Sequence, residues 1–340
     1  MAVNRRHFIG TAAGSALAGC ASTQVAQAPQ QSPATQGSAG TSQSLPRKLT
    51  YATMQTPEGW GLGIRTPGGV LDVRAAERVA RTGAPVTMDA VIRQEGDLSA
   101  LTRLAGMAQG DLSRFVVPEQ SVRFGPVVTA PPKVLCIGLN YRAHVAEANE
   151  KLPTTPIFFN KFNSSLNSHN GTIQVSREHA KAFDYEAELV LVMGKGGRDI
   201  PEATALDHVL GYAVGQDFSA RDLQLATSQW MMGKAGDGWG PIGPWLVGAD
   251  LVDPQNLNIE CRVNGQLRQS SNTSRMIFDI RQQIAFLSRN LTLEPGDVIF
   301  TGTPEGVIVG YPKDKQVWLK AGDRITTTIQ NLGVQEVVLA

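Results

Sequence analysis

Two glutamates two residues apart, Glu186 and Glu188, are the part of the sequence with the clearest chemical content. They lead into the apolar residues 189–193, which favour a buried strand, and side chains two apart on a strand point to the same face. Carboxylates held this close repel each other, so such a pair needs a cation between them or a shared proton. Without further support, a Glu-x-Glu spacing is more often a solvated strand face.

A third carboxylate follows on the next apolar segment. Residues 211–216 read GYAVGQ and lead directly to Asp217, which places an acid at the end of a second predicted strand. Three carboxylates, completed by water and substrate, suit Mg²⁺ or Mn²⁺ better than zinc, which prefers His and Cys. We therefore predict a Mg²⁺ or Mn²⁺ site formed by Glu186, Glu188 and Asp217.

From about Pro132 to the C-terminus, the order of short motifs resembles the fumarylacetoacetate hydrolase family, including its acylpyruvate hydrolases and 2-hydroxyhepta-2,4-diene-1,7-dioate isomerases. The motifs are GLNYRAH at 138–144, PIFFNK at 156–161, DYEAEL at 184–189, SARDLQ at 219–224, Lys234, GPIGP at 240–244, VNG at 263–265 and PGDVIFTGTPEGV at 295–307. The resemblance implies an α+β fold with a mixed β-roll as the catalytic domain. It also implies a metal-dependent enzyme that acts on small 2-oxo acids.

The same resemblance implies roles for single residues. His144 and Glu147 lie three apart in a predicted short helix, so the carboxylate can orient the imidazole as a general base. An isolated His-x-x-Glu is usually a surface pair, but the family order favours the catalytic interpretation. Lys234 would stabilise a developing oxyanion and complete the catalytic group. The substrate would be held by Arg221, Gln224 and Thr303.

The expected reaction is hydrolysis of a carbon–carbon bond in a 2,4-dioxo acid of the acylpyruvate or fumarylpyruvate type. Water activated by His144 would attack the more distant carbonyl, and the enolate of a 2-oxo acid would leave. Two alternatives stay open. One is isomerisation or decarboxylation of a related 2-oxo dicarboxylate, and the other is a non-catalytic lipoprotein that binds metal or dicarboxylates. Ala235 and Gly236 follow Lys234 where Ser and Phe are common, which leaves the substrate undetermined.

Composition and sequence patterns limit the number of domains and the kinds of partner. Its 340 residues, 42% of them hydrophobic, are enough for about two domains. Lys and Arg number 31 against 30 Asp and Glu, which argues against a nucleic acid bound through its phosphates. We predict a small α/β domain at 47–128, with helices at 75–81 and 88–107, and the catalytic domain at 129–340. The family resemblance implies a homodimer, and we expect Cys136 and Cys261 to be buried thiols.

The first residues resemble an export signal. Arg5 and Arg6 precede the apolar run 8–18, which is too short to span a bilayer, and the run ends in LAGC at 17–20. This pattern resembles a twin-arginine signal with a bacterial lipobox, so we expect residues 1–20 to be the signal and Cys20 to carry a lipid. Residues 21–46 contain no charged or aromatic side chain, which predicts a disordered tether. The expected location is the bacterial periplasm, anchored by lipid and reached by the twin-arginine route.

Overall fold

Two β-sheets form the body of the protein, and short helices connect their strands. The computed structural model describes residues 43–176 and 178–340. In that part of the chain the strands are β1 (Thr50–Thr56), β2 (Gly59–Thr66), β3 (Gly69–Asp72), β4 (Val116–Val117), β5 (Val134–Gly138), β6 (Ile157–Lys161), β7 (Leu166–Asn167), β8 (Gly171–Ile173), β9 (Phe183–Asp184), β10 (Ala187–Met193), β11 (Val209–Gln216), β12 (Ser219–Ala220), β13 (Gly240–Pro241), β14 (Leu246–Gly248), β15 (Asn258–Val263), β16 (Gln266–Asn272), β17 (Val298–Phe300), β18 (Arg324–Ile329) and β19 (Gly333–Leu339). The α-helices of the same residues are α1 (Val73–Ala80), α2 (Met88–Ile92), α3 (Ser99–Met107), α4 (Arg142–Glu147), α5 (Arg221–Gln224) and α6 (Ile280–Asn290).

The large sheet of the described residues has ten strands in the order β4-β3-β2-β1-β14-β11-β10-β17-β5-β6. Its strands pair antiparallel except for β17 and β5, which run parallel. A second sheet has the order β16-β15-β18-β19-β8 and ends in the parallel pair of β19 and β8. A mixed sheet of this size with few helices confirms the predicted α+β class.

The central strand β10 is apolar because both of its faces are covered. Leu189, Leu191 and Met193 pack into one hydrophobic cluster, whereas Val190 and Val192 pack into a second cluster. Successive strand residues point to opposite faces, so a strand between two cores reads as a continuous hydrophobic run. The charged residues at its start are therefore carried into the interior of the protein.

The segment predicted as a first domain contributes strands to the large sheet. Strand β1 pairs antiparallel with β14, in register Thr50 with Val247, and β2, β3 and β4 extend the sheet outward. The single helix predicted at 88–107 is wrong, because the structure has two helices there. Gln94 and Gly96 have positive φ values of 57° and 71°, which the right-handed helix does not contain.

The predicted tether lies mostly outside the described residues. Its last residues, 43–46, are described, and the Gln43 side chain is held by two hydrogen bonds. Its Nε2 donates to the Gly96 carbonyl at 2.8 Å, and its Oε1 accepts from the Leu98 amide at 3.0 Å. Residues 43–46 are thus anchored to the connection between α2 and α3.

Cys136 and Cys261 are buried free thiols, as the sequence predicted. A search of the described residues for a helix long and apolar enough to cross a membrane finds none.

Asn140 connects the elements that carry the site. Its side chain donates to the Phe278 carbonyl at 3.0 Å and to the Thr301 carbonyl at 2.8 Å, and it accepts from the Phe278 amide at 2.8 Å. Gly302 lies against it with a φ of 98°, and a Cβ at Gly302 would be 2.7 Å from that of Asn140. The loop after β17 is in this way held against the start of α4.

Replacing Asn140 with Ala is expected to destabilise the protein by about 3 kcal/mol, because buried polar groups of Phe278 and Thr301 lose their partner. Urea unfolding at equilibrium measures the change. Asn290→Ala, at an exposed position on α6, is the matched control and should change the free energy of unfolding little. Equal unfolding midpoints for the two variants would show that Asn140 does not hold these elements together.

Candidate active site

Three buried carboxylates converge where β10 begins and β11 ends. Glu186 precedes β10, Glu188 lies in it, and Asp217 directly follows β11. The register pairs Glu188 with Gly215, and the Asp217 amide donates to the Glu186 carbonyl at 2.9 Å. One ligand atom from each of Glu186, Glu188 and Asp217 lies within 4.8 Å of the other two. The strand spacing read from the sequence therefore places all three acids at one point.

Two of these acids are bound by cationic side chains. Lys234 Nζ donates to Glu186 Oε2 at 2.5 Å and to Asp217 Oδ2 at 2.8 Å. Arg221 Nη2 lies 2.7 Å from Glu186 Oε1, and Lys161 Nζ lies 2.7 Å from Asp217 Oδ1. Glu186 and Asp217 are thus each neutralised from two sides.

Glu188 differs from its two neighbours. Its Oε2 accepts from the Gly302 amide at 2.7 Å, and no lysine or arginine of the described residues forms an ion pair with it. Burial raises the pKa of Glu188 well above its ordinary value, and the nearby charges of Asp217 and Glu186 raise it further. This carboxylate is the one that requires a cation or a proton.

The pKa of Glu186 is shifted in the opposite direction. Burial alone would raise its pKa, but the positive charges of Arg221 and Lys234 outweigh burial and hold the pKa below its ordinary value. Burial would likewise lower the pKa of Lys234, but Asp217 and Glu186 raise it above its ordinary value. Glu186 is therefore ionised, and Lys234 is an ammonium group.

Asp184 and Lys161 belong to this network although the sequence did not assign them a role. Asp184 Oδ2 accepts from Arg221 Nε at 2.9 Å and from the Val309 amide at 3.1 Å, and it fixes the guanidinium beside Glu186. Lys161 Nζ also donates to the Lys234 carbonyl. Both residues lie inside motifs named above, Asp184 in DYEAEL and Lys161 in PIFFNK. A charged side chain next to apolar residues in these motifs is the sequence signal that could have identified them.

The charge balance of this network leaves a place for a cation or for a proton on Glu188. Among the described residues, this network sets four buried carboxylates against three buried cations, which leaves one negative charge uncompensated. The carboxylates are Asp184, Glu186, Glu188 and Asp217, and the cations are Lys161, Arg221 and Lys234. Hard carboxylate oxygens within 4.8 Å of one another are a donor set that suits Mg²⁺ or Mn²⁺. The residues present fit the predicted ion.

A histidine and a glutamate lie beside the carboxylates. His144 Nδ1 donates to Glu147 Oε1 at 2.8 Å across one turn of α4, and Glu147 Oε2 accepts from the Gly306 amide at 2.8 Å. The carboxylate partner fixes the proton on Nδ1, which leaves Nε2 as the basic nitrogen. The helix and the spacing predicted for this pair are both present.

The nine predicted site residues are brought together around one cavity of about 160 Å³. The cavity is lined by His144, Glu186, Glu188, Arg221, Gln224, Lys234 and Thr303. Asp217 and Glu147 lie behind this lining, where Asp217 holds Lys234 and Glu147 holds His144.

The predicted substrate-binding residues also have partners within the protein. Arg221 Nη1 donates to Gln224 Oε1 at 2.9 Å, and Thr303 Oγ1 donates to the Ala187 carbonyl at 3.0 Å. Thr303 in turn accepts from Gln269 Nε2 at 2.9 Å. These bonds fix the shape of the cavity wall before any ligand enters.

Comparison with known proteins defines the class. The family described as "Fumarylacetoacetate (FAA) hydrolase C-terminal" matches residues 133–339. The chain belongs to the fumarylacetoacetate hydrolase family. It is 40% identical over 276 residues to the mitochondrial oxaloacetate tautomerase of Xenopus laevis. The aligned region covers 80% of this chain and 83% of the relative.

Solved structures agree with this assignment. The fumarylacetoacetate hydrolase of Exiguobacterium antarcticum is 32% identical with a TM-score of 0.71, over 86% of this chain and 99% of the other. The fumarylpyruvate hydrolase of Pseudomonas aeruginosa, in complex with Mn²⁺ and pyruvate, is 34% identical with a TM-score of 0.56, over 64% of this chain and 91% of the other. The predicted catalytic fold is therefore confirmed as that of the family.

The predicted periplasmic location is wrong, because these comparisons contradict it. Curated relatives at 40–41% identity are mitochondrial enzymes, which points away from a lipid-anchored periplasmic protein. The export signal and the lipid on Cys20, on which that prediction depended, lie outside the described residues. A pattern of arginines before a short apolar run is a weak signal, because many N-terminal segments share that composition.

Replacing Glu186 and Glu188 together with Gln is expected to weaken Mn²⁺ binding by at least about a hundredfold, since two charged ligands become neutral. Isothermal titration with Mn²⁺ measures the affinity, and circular dichroism reports whether the fold is kept. The matched control replaces Glu95 and Glu202, both exposed, with Gln. An unchanged Mn²⁺ affinity in a folded double variant would refute the ligand assignment.

Proposed function

We propose that the protein is a Mg²⁺- or Mn²⁺-dependent enzyme that transfers a proton at the carbon next to the 2-oxo group of a small 2-oxo acid. Oxaloacetate is the first candidate substrate, and keto–enol tautomerisation is the reaction. The observation that carries the proposal is the base His144, held by Glu147, in the cavity that Glu186 and Glu188 line and that Asp217 supports from behind. The name of the Xenopus laevis relative supports the choice of substrate.

Glu186, Glu188 and Asp217 would hold the divalent cation, which would supply a Lewis acid for the negative charge on the 2-oxo group. His144 Nε2 removes the proton from the adjacent carbon, and the electron pair of that bond forms the carbon–carbon double bond of the enol. Glu147 keeps the imidazole in the required tautomer and stabilises its charged form. The protein therefore provides a base whose orientation is set before the substrate binds.

Lys234 is suited to the oxygen on which charge develops. An ammonium group has three N–H donors, and two of them are used by Glu186 and Asp217. Because Lys234 also lines the cavity, its remaining donor is available to a substrate oxygen. The proton that His144 takes from carbon is returned to that oxygen, so the tautomerisation ends with the base neutral and no change in the number of atoms.

Hydrolysis of an acylpyruvate is the second candidate. The same base can take its proton from water, and the hydroxide then attacks the distal carbonyl and releases a 2-oxo acid enolate. The similarity to the fumarylpyruvate hydrolase that contains Mn²⁺ and pyruvate favours this reaction. A non-catalytic binding protein is disfavoured, because metal binding alone needs neither His144 nor its hydrogen bond to Glu147. The homodimer implied by the family stays a prediction.

Replacing His144 with Asn is expected to lower kcat for oxaloacetate tautomerisation by at least about a hundredfold, because the base is lost. Mn²⁺ affinity should stay unchanged, since His144 is not one of the ligands. His179→Asn, at an exposed position, is the matched control. Parallel assays with oxaloacetate and acetylpyruvate separate the two candidate reactions. Full turnover of both compounds by His144→Asn would refute a general base at this position.

Removal of the metal is expected to abolish turnover, because negative charge on the 2-oxo group then lacks its stabilising cation. The measurement compares the purified enzyme before and after treatment with a chelator, and then after addition of Mg²⁺ or Mn²⁺. Activity that survives complete removal, verified by elemental analysis, would show that the carboxylates serve another purpose.

A further inference from the structure

The cavity has two ends of different chemistry. The polar residues that line it are mostly buried and form its floor, with Glu186, Glu188, Arg221 and Lys234 at the centre. The lining side chains that are partly or fully exposed form what we term the outer half. Its side chains are those of Leu139, Ala148, Glu150, Phe159, Leu225, Trp230 and Val309. Apart from Glu150, this half is apolar.

Trp230 is the largest residue of the outer half and is held firmly. Its ring packs edge-to-face on Phe159 with centroids 5.7 Å apart. It also lies against the backbone of Gly138, where a Cβ would collide with the indole. Trp230 begins the 3₁₀ turn Trp230–Gly233 that leads directly to Lys234, so one short element carries the apolar wall and the floor lysine.

The cations of the floor already bind carboxylates of the protein, and the third N–H of Lys234 is left for a substrate oxygen near the floor. Arg221 contacts Asp184 and Glu186, and Lys234 contacts Glu186 and Asp217. In the outer half, the one ionisable side chain among the described lining residues is Glu150, an exposed acid.

A second carboxylate on a substrate therefore meets two different environments, depending on the length of the substrate. In oxaloacetate it lies close to the 2-oxo group, within the region of Lys234. In a longer 2-oxo dicarboxylate it reaches the apolar wall and the negative charge of Glu150. Moving a carboxylate against an apolar surface without a partner is unfavourable, and an adjacent acid adds repulsion. An uncharged chain has no charge to desolvate there and is not repelled by Glu150.

We propose that the outer half selects 2-oxo acids whose distal part is apolar, and that it rejects 2-oxo dicarboxylates longer than oxaloacetate. Trp230 provides the surface for the tail, and Glu150 repels a terminal carboxylate. The inference rests on the proposed function, since it assumes that the floor binds the 2-oxo carboxylate head. It predicts that acylpyruvates with alkyl or aryl groups are better ligands than fumarylpyruvate.

The test uses two ligands with the same head and the same chain length, 2-oxohexanoate and 2-oxoadipate, which differ only in the terminal carboxylate. Their affinities for the full enzyme with Mn²⁺ are measured by isothermal titration. We expect 2-oxohexanoate to bind about tenfold more tightly than 2-oxoadipate, because burying its methyl end removes no carboxylate from water. Equal affinities, or tighter binding of 2-oxoadipate, would overturn the inference.

Two variants assign the effect to named residues. Glu150→Lys should tighten 2-oxoadipate by about threefold to tenfold and leave 2-oxohexanoate nearly unchanged, as expected for an exposed charge. Glu202→Lys, which makes the same charge change at an exposed site outside the cavity lining, is the control and should alter neither affinity. Trp230→Leu should weaken 2-oxohexanoate severalfold and change the affinity for 2-oxoadipate less, because the apolar surface for the tail is reduced. A Glu150→Lys enzyme with the original preference would overturn the role of Glu150.

The outcomes also separate this inference from the proposed function. Turnover of oxaloacetate with no preference between the two ligands would refute the selective outer half alone. Failure of both ligands to bind to the Mn²⁺-loaded enzyme, together with no turnover of oxaloacetate, would refute the proposed function and this inference with it.

Discussion

A buried charge that the protein does not balance by itself is the constraint on which the site depends. Asp184, Glu186 and Asp217 are bound by lysines or arginine, whereas no lysine or arginine in residues 43–176 and 178–340 forms an ion pair with Glu188. Leaving an ionised carboxylate unpaired in the interior costs several kcal/mol. The fold keeps this arrangement because strand pairing fixes where the acids stand. A divalent cation bound there would change the local charge from negative to positive, which would favour binding of an anionic ligand.

Local periodicity is what made the centre of the site predictable. Glu186 and Glu188 share a face because the strand repeat is two, and His144 meets Glu147 because residues three apart on a helix are neighbours. The pairing of Lys161 with Asp217 joins residues 56 positions apart. No periodicity reports such a contact, because it follows from which strands become neighbours in the sheet. The same limit applies to Asp184 and Arg221.

The fold, like the site, could be predicted only in part from the sequence. The α+β class and the β-roll were both implied by the family resemblance, and the apolar segments indicated where single strands lie. The helix predicted at 88–107 failed because residues 93–97, RQEGD, carry no apolar side chain, and Gln94 and Gly96 adopt positive φ values that interrupt the helix. The location failed for a different reason, because targeting depends on recognition by other proteins and not on the packing of this chain.

The pairing of β1 with β14 has a consequence for the boundaries of the enzyme. The family match begins at residue 133, but a hydrophobic cluster is shared by Tyr51 and Leu101 on one side of that position and by Val190 and Phe300 on the other. A chain trimmed to the matched region would expose this cluster and leave the backbone edge of β14 without its neighbour. Residues before position 133 are therefore part of the core of the sheet that carries the site, and the matched segment does not contain all of that core.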